Sequence, residues 1–170
     1  FELAQITAKP GTNAQRIAQW VAKAEGSPFF LRELVHSEGT MPANVHAALQ
    51  ARLDQLGPAR RVAQMAAVLG RKVSAANVAT LCHLAQDYCE LQLQELVDAA
   101  VLIDIAGTDT RIFRHALMQE AAYLSLVTAD RQQSHLAAAL LLAATPERYL
   151  PEQIAYHYQQ AATWNPAAHW

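Results

Sequence analysis

The chain has 170 residues and a formal net charge of −2, and apolar residues make up 52% of it. A chain this apolar buries enough surface to fold, so its composition excludes intrinsic disorder. The longest apolar run, residues 136–144, is far shorter than the ~20 residues that cross a bilayer. The two cysteines, Cys82 and Cys89, fit no zinc-ligand spacing. We therefore expect reduced thiols in a cytoplasmic protein that does not enter a membrane.

Helical patterns, separated by proline and glycine, occupy most of the first hundred residues. Ser27 and Pro28 pair an N-cap hydroxyl with a proline at the first helical position, which is typical of a helix start. Asp87 and Glu90 have the spacing of a capping box, in which two side chains satisfy the first free amides of a helix. The apolar periodicity predicts helices that begin near Ser27, Pro42, Pro58, Ser74 and Asp87.

The pattern becomes extended after residue 100. Two short β-branched runs, residues 101–105 and 111–114, flank turn-forming residues at 106–110, and this arrangement predicts a β-hairpin. Further helices are predicted from Ala116 to about Leu126, from Asp130 to Ala144, and after Pro146 and Pro151. Three helices, a hairpin and another helix are the order of elements in a winged-helix domain.

Winged helices often bind DNA through their third helix, here about residues 88–100. This helix has no lysine or arginine. The wing is the predicted hairpin at residues 101–114, and near its tip it has one acidic residue, Asp109, and one basic residue, Arg111. Phosphate neutralisation supplies most non-specific affinity for DNA, so an acidic helix would repel the DNA backbone. We therefore expect no DNA binding by this segment. The acidic residues in or beside the helix are Asp87, Glu90, Glu95 and Asp98.

Five motifs resemble, in order and spacing, those of the bacterial STAND class, the signal-transduction ATPases with numerous domains. The resemblance points to large regulators that join this ATPase to a guanylate or adenylate cyclase domain or to a LuxR-type DNA-binding domain. Residues 151–170 also resemble the start of the family's tetratricopeptide repeats. The five motifs are GSPFFLREL at 26–34, ARLDQL at 51–56, AAVLGR at 66–71, FRHALMQEAAYLSL at 113–126, and Arg131 with His135.

The resemblance implies a mainly α fold with one small β-hairpin. It divides the chain into a helical lid (1–56), a winged-helix subdomain (57–127), and a helical linker that leads into tetratricopeptide-like repeats (128–170). The family's phosphate-binding P-loop and magnesium-binding acidic strand are not found in the sequence, and the resemblance places them upstream of Phe1. We therefore expect no catalytic residue, metal or cofactor in this segment, and ATP or ADP with magnesium in a full-length parent.

The resemblance implies nucleotide contacts from Gly26, Pro28 and His115 in that parent. Gly26 and Pro28 match the family's GxP motif, whose proline packs on the adenine, although Pro28 would begin a helix in any case. His115 stands where plant resistance proteins and the apoptosome scaffold carry the histidine of a Met-His-Asp motif, which reaches the β-phosphate of ADP. Arg114 and Ala116 replace the methionine and aspartate of that motif. A local hydrogen bond at the end of the wing strand is the alternative role of His115.

The sequence thus predicts the regulatory arm of a nucleotide-switched ATPase that controls a cyclase or a transcriptional output domain. Its expected partners are the upstream nucleotide-binding domain, an inducer or protein bound by the downstream repeats, and further copies in an oligomer. One alternative is a winged-helix DNA-binding transcription regulator, and another is a helical protein-docking adaptor. No metal site is expected from His115, His135 and His157, because they lie about twenty residues apart on separate predicted elements.

Overall fold

The computed structural model describes residues 13–24, 31, 35 and 43–162. The protein is mainly helical with a small antiparallel sheet, as the sequence predicts. None of the helices in these ranges is long and apolar enough to span a membrane. The elements in chain order are α1 (Ala14–Ala24), α2 (Ala43–Asp54), α3 (Ala59–Leu69), β1 (Lys72–Ser74), α4 (Ala75–Cys82), α5 (Gln86–Asp98), β2 (Leu102–Asp104), β3 (Thr110–Phe113), α6 (Ala116–Leu124), α7 (Thr128–Ala143), a 3-10 helix (Pro146–Arg148) and α8 (Pro151–Ala162).

The sheet contains one more strand than the sequence predicts. Strands β2 and β3 form the predicted hairpin, and β1 pairs with the other edge of β3, so that the strand order is β1-β3-β2. With three residues, β1 is too short to show a strand periodicity. Gly70 makes the sharp turn from α3 into β1 with φ 125°, a conformation that other residues rarely adopt. The order α3-β1-α4-α5-β2-β3 and this strand order are those of a winged helix.

Helix α3 lies at the centre of the molecule and packs against α4, α5, α6 and α7. Eight of its residues are buried, and four of these are alanines, which let neighbouring helices approach closely on several sides. The buried Gln64 amide donates a hydrogen bond to Ser125 Oγ at 2.8 Å, so this polar group is satisfied inside the core. The core therefore joins the winged helix to the helices that follow it.

The helix starts confirm one predicted cap and contradict another. Ser74 is the N-cap of α4, and its hydroxyl accepts a hydrogen bond from the Asn77 amide at 3.3 Å. The capping box predicted at Asp87 and Glu90 is wrong, because α5 begins at Gln86 and its N-cap residue, Ala85, makes no side-chain bond. Glu90 instead pairs with the guanidinium of Arg111, a charged partner that bonds a carboxylate more strongly than a backbone amide does.

Helix α6 connects the winged helix to the helices on either side of it in the chain. From α1, Lys23 Nζ lies 2.6 Å from Glu120 Oε2 of α6. From α2, Gln50 Nε2 donates to the Ala121 carbonyl at 2.8 Å. Beyond α6, helix α7 packs against α3 and α4, and α8 packs against α7. Helix α6 therefore contacts both helices that precede the winged helix, and one hydrogen bond joins it to α7.

Candidate functional site

His115 lies where β3 ends and α6 begins. Its backbone is extended (φ −135°, ψ 137°), and it is the N-cap residue of α6 without a side-chain bond to the first turn. Its carbonyl accepts the amides of Met118 at 3.0 Å and Gln119 at 3.3 Å, so the backbone alone closes the helix start. The imidazole is half-buried and is not used as a cap. The other two predicted nucleotide contacts, Gly26 and Pro28, lie outside the described residues.

The position of His115 also has a favourable electrostatic setting for an anion. The first turn of α6 presents backbone N–H groups and the positive end of the helix dipole. The same nine-residue helix holds the Glu120 carboxylate that pairs with Lys23 of α1. A group bound at this helix end would therefore act on the sheet through β3 and on α1 and α2 through α6.

The wing arginine is held inside the fold. Arg111 is one of the buried polar residues, and its Nε lies 3.0 Å from Asp104 Oδ1 on the neighbouring strand. Its two terminal nitrogens bond both carboxylate oxygens of Glu90 on α5. Burial alone would lower the pKa of Arg111, but the hydrogen bonds and charges of Glu90 and Asp104 raise it above its ordinary value. This ion-pair cluster fastens the wing to α5 and takes the arginine away from solvent.

The outer face of α5 is acidic and partly apolar. Asp87, Glu95 and Asp98 are exposed, and the helix contains no lysine or arginine. Tyr88 and Leu91 are exposed on the same helix, by 45% and 66%. A helix that binds duplex DNA needs cationic side chains on this face to neutralise the phosphates. The face presents negative charge and apolar surface instead.

We expect the chain to show no measurable binding to duplex DNA at physiological salt. Non-specific binders typically reach dissociation constants of ~10⁻⁴–10⁻⁶ M under these conditions through contacts that α5 cannot make. Fluorescence anisotropy of a labelled duplex, titrated with the chain at two salt concentrations, measures this. Micromolar binding that weakens steeply with added salt would contradict the prediction.

A chain of hydrogen bonds joins α6, α7 and α8, and no motif in the sequence indicates it. Tyr123 Oη lies 3.0 Å from His135 Nε2, and His135 Nδ1 lies 2.8 Å from His157 Nδ1. The two histidines are 1% and 3% exposed. They are 22 residues apart, and only the packing of α8 against α7 brings them together.

The surroundings of the two histidines keep both rings neutral near pH 7. Burial, the adjacent His157 and then Arg131 lower the pKa of His135 to about 4. Burial also lowers the pKa of His157 below its ordinary value. Burial raises the pKa of Tyr123, so its hydroxyl keeps its proton. A phenol is a stronger acid than neutral imidazole, and an imidazole nitrogen is a stronger base than a phenol oxygen. These strengths favour Tyr123 as the donor to His135, with His135 in the tautomer whose Nδ1–H donates to His157.

We expect acid to destabilise the chain through this pair. As the pH falls from the ordinary histidine pKa of 6.5 toward 4, His135 becomes protonated in the unfolded chain but stays neutral in the folded chain. The free energy of unfolding therefore decreases. Each such proton lowers it by up to about 1.4 kcal/mol per pH unit. Above pH 6.5 both states are neutral at this site, and the effect is absent.

Urea unfolding of wild type and His135→Gln at several pH values measures this effect. The groups that face the pair are Tyr123, Arg131 and Tyr156. We expect a smaller pH dependence between pH 6.5 and 5 in His135→Gln, whereas the exposed His83→Asn should follow the wild type. If the free energy of unfolding changes with pH equally in wild type and His135→Gln, the histidine pair does not govern stability in acid.

Two members of this chain, Tyr123 and His157, line a cleft of about 910 Å³ between the winged helix and α8. Its lining includes the end of α3, strand β1, the 3-10 helix and the start of α8. Asn77 Nδ2 donates to Tyr149 Oη across it at 2.8 Å. In the ranges that the structure describes, no group of three or more His, Cys, Asp or Glu side chains is placed to hold a metal ion.

The comparisons with known proteins add one relative. No family model matches the chain, and no solved structure matches it. The chain is 33% identical over 130 residues to an uncharacterized protein of Rhizobium meliloti (strain 1021). That alignment covers 71% of this chain and 12% of the relative. The chain is therefore similar to a small part of a much longer bacterial protein.

Proposed function

We propose that this chain is the regulatory segment of a nucleotide-switched signal-transduction ATPase, held closed by ADP and released by exchange for ATP. The observation that carries the proposal is the place of His115 between β3 and α6, with an imidazole that does not serve as the cap of α6. A histidine in this position can bond a phosphate, and the helix end beside it favours the same negative charge.

The packing of α6 supplies a path from such a contact to the rest of the segment. Helices α1 and α2, which belong to the proposed lid, bond α6 through Lys23 and Gln50. The sheet joins α6 directly through β3 and His115. An ADP phosphate at His115 would therefore hold the lid and the winged helix in one arrangement. Its loss would release both together.

The proposed parent has an upstream nucleotide-binding domain that holds ATP or ADP with magnesium and supplies the hydrolytic chemistry. In this proposal Gly26 and Pro28 contribute the adenine contact, and α7 and α8 lead into repeats that bind an inducer or protein. The output is a cyclase or a transcription-regulating domain, in a cytoplasmic protein that oligomerises when ATP is bound. Similarity to only 12% of a long bacterial relative agrees with a segment that works among other domains. The acidic face of α5 supports a regulatory role over DNA binding by this winged helix.

The experiment that tests this proposal is a pair of calorimetric titrations, with ADP and with ATP, on the protein that carries both the nucleotide-binding domain and this segment. Tighter binding of ADP, which depends on the presence of residues 57–127, supports it. Equal affinities for the two nucleotides, unchanged when residues 57–127 are removed, would contradict it, because a ligand moves a switch only through a difference in affinity between its states.

A further inference from the structure

We propose that the cleft between the winged helix and α8 is a binding site for a small organic anion, with the buried His157 as its hydrogen-bond donor. His115, which carries the proposed nucleotide contact, does not line the cleft, although the neighbouring Ala116 does. Its volume of about 910 Å³ lies within the range of ~300–1,000 Å³ that is usual for small-molecule sites.

The donor follows from the hydrogen-bond chain. In the tautomer that a Tyr123 donor favours, His157 accepts a hydrogen bond from His135 at Nδ1. A neutral imidazole carries one proton, so the proton of His157 is on Nε2. Within the ranges that the structure describes, Nε2 has no hydrogen-bond partner, and His157 lines the cleft while being 3% exposed. The cleft therefore contains one N–H group that bonds no residue described by the structure and that a ligand can reach.

The charges of the cleft select an anion. Lys72 on β1 and Arg148 on the 3-10 helix both line it, and neither forms an ion pair with a residue that the structure describes. Of the two carboxylates in the lining, Glu120 is neutralised by Lys23 at 2.6 Å. Glu152 alone opposes the two cations. The balance is positive, and it acts in the same direction as the His157 donor.

The apolar part of the cleft favours an organic body over a bare inorganic ion. Val68 and Leu69 at the end of α3 and Leu142 of α7 contribute to its lining. An anion that also carries a short hydrocarbon chain would satisfy the His157 donor and cover these side chains at the same time. The chemical class is thus a small carboxylate or phosphate ester with an apolar portion.

Hexanoate is a suitable probe, with hexylamine as the matched cation of the same chain length. We expect hexanoate to bind the chain with a dissociation constant of about 1–10 mM, as its few atoms allow, and to shift the Nε2–H resonance of His157 in NMR spectra. Hexylamine should leave that resonance unchanged. The Lys72→Gln/Arg148→Gln variant should weaken hexanoate binding by about fivefold or more, because it removes both cations of the site. It leaves the hydrogen bonds of His135 and His157 unchanged.

The control variant is Arg61→Gln/Arg114→Gln, which makes the same change in net charge at two exposed positions that do not line the cleft. It should bind hexanoate as the wild type does. The proposal is overturned if hexanoate and hexylamine act alike on His157, if no saturable hexanoate binding occurs, or if the control variant loses as much affinity as the cleft variant. His157→Phe, checked for folding by circular dichroism, should also lose hexanoate binding.

Discussion

Replacing His115 by alanine, in the protein that joins this segment to its nucleotide-binding domain, is expected to weaken ADP binding about ten- to hundredfold and to leave ATP binding nearly unchanged. A hydrogen bond to a charged phosphate contributes about 1.5–3 kcal/mol, and each ~1.4 kcal/mol is a factor of ten in affinity. ATP affinity stays the same because, in the proposed open form, the winged helix no longer contacts the nucleotide. The variant should therefore shift the protein toward its active form.

Calorimetric titrations of ADP and ATP on wild type and variant measure this difference. The control is His83→Asn, since His83 is exposed at the end of α4 and asparagine tolerates its left-handed backbone (φ 55°). The control should bind both nucleotides as the wild type does. If His115→Ala lowers both affinities equally, or neither, then His115 has a structural role only and the sensor assignment fails.

Removing both carboxylates that face Arg111 is expected to destabilise the fold by about 3–5 kcal/mol, whereas removing the arginine itself should cost much less. The Arg111 side chain is 8% exposed, so Glu90→Gln/Asp104→Asn leaves a buried cation without a counter-charge. In Arg111→Met the remaining carboxylates are 48% and 53% exposed, and water solvates them. Methionine also fills most of the volume that the arginine stem occupies.

Urea unfolding at pH 7 gives the free energies of these variants. Glu95→Gln/Asp109→Asn is the matched control, since it neutralises one exposed carboxylate on α5 and one on the wing. Surface changes of this kind usually stay within about 0.5 kcal/mol. The explanation is wrong if Arg111→Met costs as much as Glu90→Gln/Asp104→Asn, or if the latter is no more destabilised than the control.

Sequence alone was sufficient wherever a structure depends on residues close together in the chain. Turn-forming residues between two β-branched runs predicted the β2–β3 hairpin, because a hairpin turn is decided by a few consecutive residues. Ser74 was identified as a helix start from its local pattern, and the helical class followed from apolar periodicity. The sequence likewise placed His115 between the wing strand and the next helix, as the structure has it. Its contact with a nucleotide stays a prediction.

Tertiary structure decided the pairings between distant residues. Glu90 was predicted to cap α5, yet its partner is Arg111, 21 residues along the chain, because the wing folds back against α5. Strand β1 exists only through its pairing with β3, and His135 meets His157 only where α8 packs against α7. A periodicity shows which face of an element is buried, but not which neighbour covers it. The ion-pair cluster, the histidine pair and the cleft beside it are all products of that packing.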